Sequence, residues 1–261
     1  MKNGIVIPCY NEANRLQFDQ FRSFLEENKS YTLCFVNDGS KDETLSQLED
    51  FSKNTARVMV VNLTENMGKA EAVRQGVQQL LMKNEFSTVG YLDADLATGF
   101  DDYMRLTDLL RVTRKSMVFG SRKMEESGNI DRSFLRDSAS KLIGKFIHLI
   151  IGMPIKDTQC GAKVFTNVTA SYLFSKSFMS RWLFDVELFI RMKALYQEDT
   201  LEKLTEVPLN SWEEVEGSKI TLRESLKFPI QLAEIGYAYR LKPQLVRTQN
   251  PYSLGTLDGA A

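Results

Sequence analysis

Two aspartates one residue apart, Asp93 and Asp95, follow the apolar run 88–92. In an extended chain, residues i and i+2 point to the same side. Their carboxylates therefore repel unless a cation sits between them. A hard divalent ion, Mg²⁺ or Mn²⁺, suits oxygen ligands of this kind and shares its shell with phosphates and water. Two other apolar runs end in polar groups. Residues 4–7 lead into Pro8, Cys9, Tyr10, Asn11 and Glu12, and residues 32–36 into Asn37, Asp38, Gly39 and Ser40. A fourth segment, Asn66-Met67-Gly68-Lys69, opens an amphipathic pattern. A helix starting there offers unpaired N–H groups and a lysine to an anion. It is not a P-loop, because the glycine spacing and the terminal Ser or Thr are absent. Taken singly, Asp93-Ala94-Asp95 also reads as a solvated turn, residues 37–40 as a turn with a helix cap, and Lys69 as an exposed lysine. Three strand ends converging on one crevice favour a binding site.

The scarce residues exclude other chemistries. The chain has one histidine, His148, and three separated cysteines, Cys9, Cys34 and Cys160. A zinc site needs several such ligands at close spacing. A Ser-His-Asp triad would have to use His148, which has no nucleophile elbow near it. Three dispersed cysteines make no disulfide framework and fit a reduced, cytoplasmic compartment; Cys9 and Cys34 read as small core residues. With 33 Lys and Arg against 34 Asp and Glu, no overall basic field points to nucleic acid. Trp212 reads as packing. Chemistry is left to carboxylates, helix amides, basic side chains or a hard metal ion.

The elements that position these groups alternate. Residues 4–7, 32–36, 57–61, 88–92 and 116–119 read as buried strands. Between them lie helical patterns, clearest from Gly68 with Ala70, Val73, Val77, Leu80 and Leu81 on one face. Ser40, with Glu43 three residues on, predicts a capping box for a helix from Lys41. Repeated β-α-β units predict an α/β fold, a mostly parallel sheet flanked by helices. Further on, 134–151, 183–196 and 222–239 read as helices, and 161–165 and 204–209 as strands. Residues 1–240 read as a single domain and 241–261 as a C-terminal tail. No window reaches the ~18 apolar residues of a membrane span, and the N-terminus does not read as a signal peptide.

The motifs at 7–12, 36–42, 66–70 and 93–95 resemble those of the family 2 inverting glycosyltransferases, whose fold is the Rossmann-like GT-A fold. Gly120-Ser121-Arg122, the segments 157–161 and 181–187, and Glu216 to Lys219 resemble the dolichyl-phosphate (polyprenyl-phosphate) glucosyltransferases and, more distantly, the dolichol-phosphate mannose synthases. The matches run in order from residue 5 to about 220. The resemblance implies transfer of a hexose, glucose from UDP-glucose, to a polyprenyl phosphate with inversion, and a Mg²⁺ or Mn²⁺ cofactor.

It also implies roles. Pro8, Tyr10 and Glu12 would line the base and ribose, Asp38 would contact them, and Lys69 would sit near the nucleotide. Asp93, Ala94 and Asp95 would hold the ribose and the metal–diphosphate, with Asp95 the firmer metal ligand. Asp157, Gln159, Trp182, Asp185 and Glu187 would surround the donor sugar or support that wall. Lys219 would lie on a loop closing over the diphosphate. Arg122, Arg136 and Ser140 would form the acceptor-phosphate site, and Asp95, Asp157 and Arg122 would stand closest to the chemistry. Where mannose synthases place a further polar metal ligand, this chain has Leu96 and Ala97.

A phosphate acceptor is already an anion near neutral pH, its second pKa being about 6, so transfer needs no strong general base. Segment 111–145 holds nine Lys and Arg against four Asp and Glu, a local basic excess in a neutral chain. On the helix expected at 134–151, Arg136 and Ser140 are neighbours, beside a broad apolar face. That helix reads either as an interfacial helix making peripheral membrane contact at the inner face or as a core helix with solvated lysines. Two other functional readings stay open: a soluble glycosyltransferase with a sugar or glycan acceptor in surface polysaccharide synthesis, and a non-catalytic nucleotide-sugar-binding module.

Overall fold

Strand β1 (Lys2–Cys9) buries residues 3–7, and all eight residues of β2 (Tyr31–Asp38) are buried. Strands covered on both faces need apolar side chains at successive positions, which is why these segments read as unbroken runs. The computed structural model describes residues 1–122, 144, 146–212 and 227–241. Its sheet continues with β3 (Val58–Leu63), β4 (Phe86–Leu92), β5 (Met117–Ser121), β6 (Ala162–Thr166) and β7 (Leu204–Pro208). The order is β3-β2-β1-β4-β6-β5-β7. All pairings are parallel except those of β6, which runs antiparallel to both β4 and β5.

Helices cover both faces. α1 (Phe18–Glu27), α2 (Thr44–Asn54) and α4 (Phe100–Val112) pack one side, where Phe21, Phe35, Leu48 and Leu106 share a core with Ile5 and Ile7. α3 (Lys69–Met82), α5 (Asn167–Leu173), α6 (Phe184–Tyr196) and α8 (Phe228–Leu241) pack the other, against Val6, Val36 and Phe119. The alternation of Ile5, Val6 and Ile7 between the two cores is the period-two geometry of a strand. α7 (Thr200–Lys203) is a single turn before β7, and residues 146–151 are also helical. The result is one α/β domain.

The expected capping box does not form. α2 begins at Thr44, and Glu43, its N-cap residue, makes no side-chain cap bond. Ser40 Oγ instead accepts from the Asn11 amide at 2.9 Å, and Asn11 Oδ1 accepts from Lys41 N at 2.8 Å. The two strand-end loops hold each other, and that cross-connection takes the hydroxyl a cap would have used. Most of the helix expected over 134–151, the first residues of that over 222–239, and the tail from 242 lie outside the described residues. No helix among the described residues is long and apolar enough to cross a membrane.

Candidate active site

The sheet order reverses direction between β1 and β4, where an open α/β sheet forms a ligand crevice at its carboxyl rim. The ends of β2, β1 and β4 bring Asp38, Pro8 to Tyr10, and Asp93 to Asp95 to that rim. The antiparallel β6 extends it. Its first residue, Ala162, pairs with Leu92, so the preceding loop 157–161 lies beside Asp93. Ser121 at the end of β5 pairs with Pro208 of β7, which places Arg122 and Trp212 at the same rim. The Arg122 guanidinium carbon lies 5.7 Å from the centre of the Trp212 ring.

Asp38 is 3% exposed. Its Oδ1 accepts from Met67 N at 2.7 Å, and its Oδ2 from Gly68 N at 2.9 Å and Asn66 Nδ2 at 3.0 Å. Burial raises its carboxyl above the ordinary range, with the Met67 and Gly68 amides pulling the other way. Gly68 precedes α3 with φ of 98°, and a Cβ there would stand 2.5 Å from Arg181 Nε, so the position requires glycine. Arg181 Nη2 donates to Asn66 O at 2.7 Å, and its carbonyl accepts from Ala70 N at 3.1 Å. Asp38 and Arg181 thus fix the turn from which Lys69 projects.

Lys69 Nζ lies 2.5 Å from Asp93 Oδ1. Burial opposes the lysine charge, but Asp93, Asp185 and Asp95 outweigh it and hold the ammonium above its ordinary pKa. Asp95 Oδ2 lies 3.1 Å from Arg15 Nη2, and Arg15 Nε lies 3.4 Å from Glu12 Oε2. Each member of the Asp-x-Asp pair therefore faces its own cation. Leu96 follows with φ of 53°, a left-handed conformation uncommon outside glycine and enriched at functional turns. Ala94 is buried, whereas Pro8 and Tyr10 are partly exposed at the crevice floor.

Arg122 grips Asp157 through Nε at 2.8 Å, Nη2 at 2.9 Å and its own amide at 3.0 Å. Burial alone would raise the Asp157 carboxyl; the Arg122 bonds and charge bring it down to about 2. Gln159 N donates to Asp157 at 3.1 Å, and the Asp157 amide itself donates to Glu206 at 2.7 Å. Gly161 lies close against Asp93: a Cβ there would stand 2.0 Å from Asp93 Oδ2.

The family model described as "Glycosyl transferase family 2" matches residues 4–181. The chain belongs to that family. The dolichyl-phosphate beta-glucosyltransferase of Drosophila melanogaster is 36% identical over 235 residues, 84% of this chain and 69% of that protein. The Trichomonas vaginalis dolichyl-phosphate beta-glucosyltransferase ALG5D is 30% identical over 264 residues, 94% of this chain and 76% of its own. Among solved structures, mannosyl-3-phosphoglycerate synthase from Rubrobacter xylanophilus matches with a TM-score of 0.67 at 18% identity, over 95% of this chain and 77% of that one. Glucosyl-3-phosphoglycerate synthase from Mycobacterium tuberculosis, in complex with Mn²⁺ and UDP-glucose, matches with a TM-score of 0.67 at 15% identity, over 92% and 78%. The likeness to both is one of fold, the GT-A fold.

Within this glycosyltransferase the expected sugar-wall residues separate. Gln159 and Trp182 are partly exposed. Asp185 is buried, paired with Lys163 at 2.6 Å and bonded by the Tyr91 hydroxyl. Glu187 is fully buried, accepting from Met179 N at 2.9 Å, Ser180 N at 3.1 Å and the Tyr239 hydroxyl at 2.7 Å. Glu187 therefore supports the turn before Arg181 and presents no oxygen to the crevice. Arg136, Ser140 and Lys219 lie outside the described residues. Arg15, Tyr91 and Lys163 are site neighbours that sequence reading did not single out. The signal for Arg15 was available, since it falls three residues after Glu12 in the first strand-end loop. Nothing in the strand pattern marked Lys163.

Proposed function

We propose that this glycosyltransferase moves glucose from UDP-glucose to dolichyl phosphate or a related polyprenyl phosphate, with inversion at the anomeric carbon. The names of the relatives that match most of the chain support this substrate pair. The observation that carries the acceptor class is the pairing of the rim carboxylates. Asp93 faces Lys69, Asp95 faces Arg15 and Asp157 faces Arg122. An alcohol acceptor needs a general base within reach. Asp157, held down to about 2, is a poor one. A phosphate monoester brings its own anionic oxygen and needs only a cationic seat. Arg122, stacked over Trp212 and shared with Asp157, offers that seat; Arg136 and Ser140, outside the described residues, are assigned to it by the family resemblance alone.

Asp95, with Asp93, fits a divalent cation. Both are hard oxygen donors and partly exposed, with side-chain exposures of 24% and 34%. Among the described residues no group of three or more acids, histidines or cysteines converges to form a full protein cage. Ions that complete their shell with diphosphate oxygens and water, Mg²⁺ or Mn²⁺, suit so sparse a set. When bound, such an ion neutralises charge developing on the leaving diphosphate. Lys69 would add charge at the same oxygens, the role the family resemblance also gives Lys219, which lies outside the described residues. Pro8, Tyr10 and Glu12 would flank the nucleoside, with Asp38 setting the turn beside it. Gln159 and Trp182 would face the sugar. Phe146 and Leu149, 38% and 70% exposed, would offer apolar side chains for peripheral contact with a membrane that carries the lipid acceptor.

The test is a donor panel against polyprenyl phosphate, polyprenol and free glycans with Mn²⁺ present. The expected product is a glucosylated polyprenyl phosphate from UDP-glucose alone. Exclusive use of a GDP-sugar would overturn the donor assignment. Transfer to a glycan, with none to the phosphate, would overturn the acceptor.

A further inference from the structure

Lys163 stands on β6 with no exposed surface. A lysine has three N–H bonds to give, and all three have partners. Nζ donates to Thr158 O at 3.0 Å and Cys160 O at 2.6 Å, and pairs with Asp185 Oδ1 at 2.6 Å. The Tyr91 hydroxyl bonds the same Asp185 oxygen, and the Tyr91 ring centre lies 5.5 Å from Nζ. One ammonium therefore joins three segments of the crevice. The first is loop 157–161, with Asp157, Gln159 and Gly161. The second is the end of β4, where Tyr91 precedes Asp93 by two residues. The third is the first turn of α6, which carries Asp185.

Stability alone is a weak reason for such a group, because well-packed apolar residues usually replace a buried ion pair at no loss. Geometry gives a stronger one. A Cβ at Gly161 would stand 2.0 Å from Asp93 Oδ2, so loop 157–161 leaves the Asp93 carboxylate no room on that side, and a shift of the loop would move Asp93 against Lys69. We propose that Lys163 is a positioning residue for glycosyl transfer. By clamping the carbonyls of Thr158 and Cys160 onto Asp185, it fixes loop 157–161 against Asp93. The proposal rests on the reading of the crevice as the donor site. Lys163 touches neither substrate and reaches the reaction through Gly161 and Asp157.

Three variants test it: Lys163→Met, Asp185→Asn, and the pair Lys163→Met/Asp185→Asn. The pair removes ammonium and carboxylate together, so no lone buried charge remains. UDP binding to the wild-type protein is measured first by calorimetry with Mn²⁺; its absence overturns the donor-site reading and this proposal with it. With binding in hand, the pair should keep a cooperative thermal transition and bind UDP within about threefold of Asp185→Asn. Its kcat should fall about 30-fold or more below that reference, since a shift near 1 Å at a reacting centre costs on the order of 10²-fold. Equal kcat in the pair and in Asp185→Asn would reduce Lys163 to a counter-ion and overturn the proposal. Failure of the pair to fold where Asp185→Asn folds would make Lys163 a structural residue, with the same result.

Discussion

Lys69 Nζ and Asp93 Oδ1 are 2.5 Å apart, an ion pair that ties the first residue of α3 to the first residue beyond β4. It sets two ligands in competition, because the lysine occupies an oxygen that a divalent cation would also use. Lys69→Met should therefore move two affinities in opposite directions. Mn²⁺ alone should bind more tightly, Asp93 being released, while UDP-glucose binds more weakly for want of the ammonium. Turnover should fall about 10²-fold, the scale of losing one charge-stabilising donor. Calorimetry with each ligand separately, beside steady-state kinetics, checks this. Weaker binding of both ligands would mean that Lys69 organises the acidic pair and does not compete for it.

Gly161→Ala isolates the contact between loop 157–161 and the acidic pair. The new methyl would meet the Asp93 carboxylate at 2.0 Å and its Cγ at 2.4 Å. Gly161 is not among the glycines with positive φ, so alanine brings no backbone strain there. The variant should melt within a few degrees of wild type yet lose about 10²-fold in kcat as Asp93 is pushed from its place. Unchanged turnover would show that Asp93 has room to move without consequence.

Asp157 sets a pH dependence with a definite sign. Its folded carboxyl, at about 2, lies below the ordinary 3.8. A depressed carboxyl stabilises the fold above its unfolded value and loses that contribution as pH falls through the folded value. The bond to Arg122 should thus contribute fully above about pH 4 and fade toward pH 2, its loss amounting to about 2 kcal/mol. Thermal melts of wild type and Asp157→Asn across this range should differ most at neutral pH and converge at the acid end. A constant gap between the two curves would show that the asparagine costs packing and not charge.

The parallel strands were legible because burial on both faces writes itself as consecutive apolar residues, as in 32–36. The strand-end acids were legible because Asp38 and Asp93 interrupt such runs where a sheet exposes its carboxyl rim. The direction of β6 was not. Five residues, Ala162–Thr166, carry no mark of antiparallel pairing, which depends on partners at 86–92 and 117–121. With that direction unread, loop 157–161 had no place, and nothing singled out Lys163. Its partner Asp185 belongs to another element. Ser40 misled for a related reason: its hydroxyl answers Asn11, 29 residues away, and not its own helix.

The Arg122–Asp157 bond also closes a loop. The two residues are 35 apart in sequence, and each adjoins the sheet at the same rim, one leaving β5 and the other leading to β6. The two ends of the intervening segment are latched together at that rim by a two-pronged bond. Holding the ends of a segment together costs closure entropy that grows only slowly with the length spanned, so one such bond can serve a long excursion. The bond thus fixes where the chain leaves the rim and where it rejoins it, while Ile147, Ile151, Met153 and Ile155 of the intervening segment are buried in the core shared with α6.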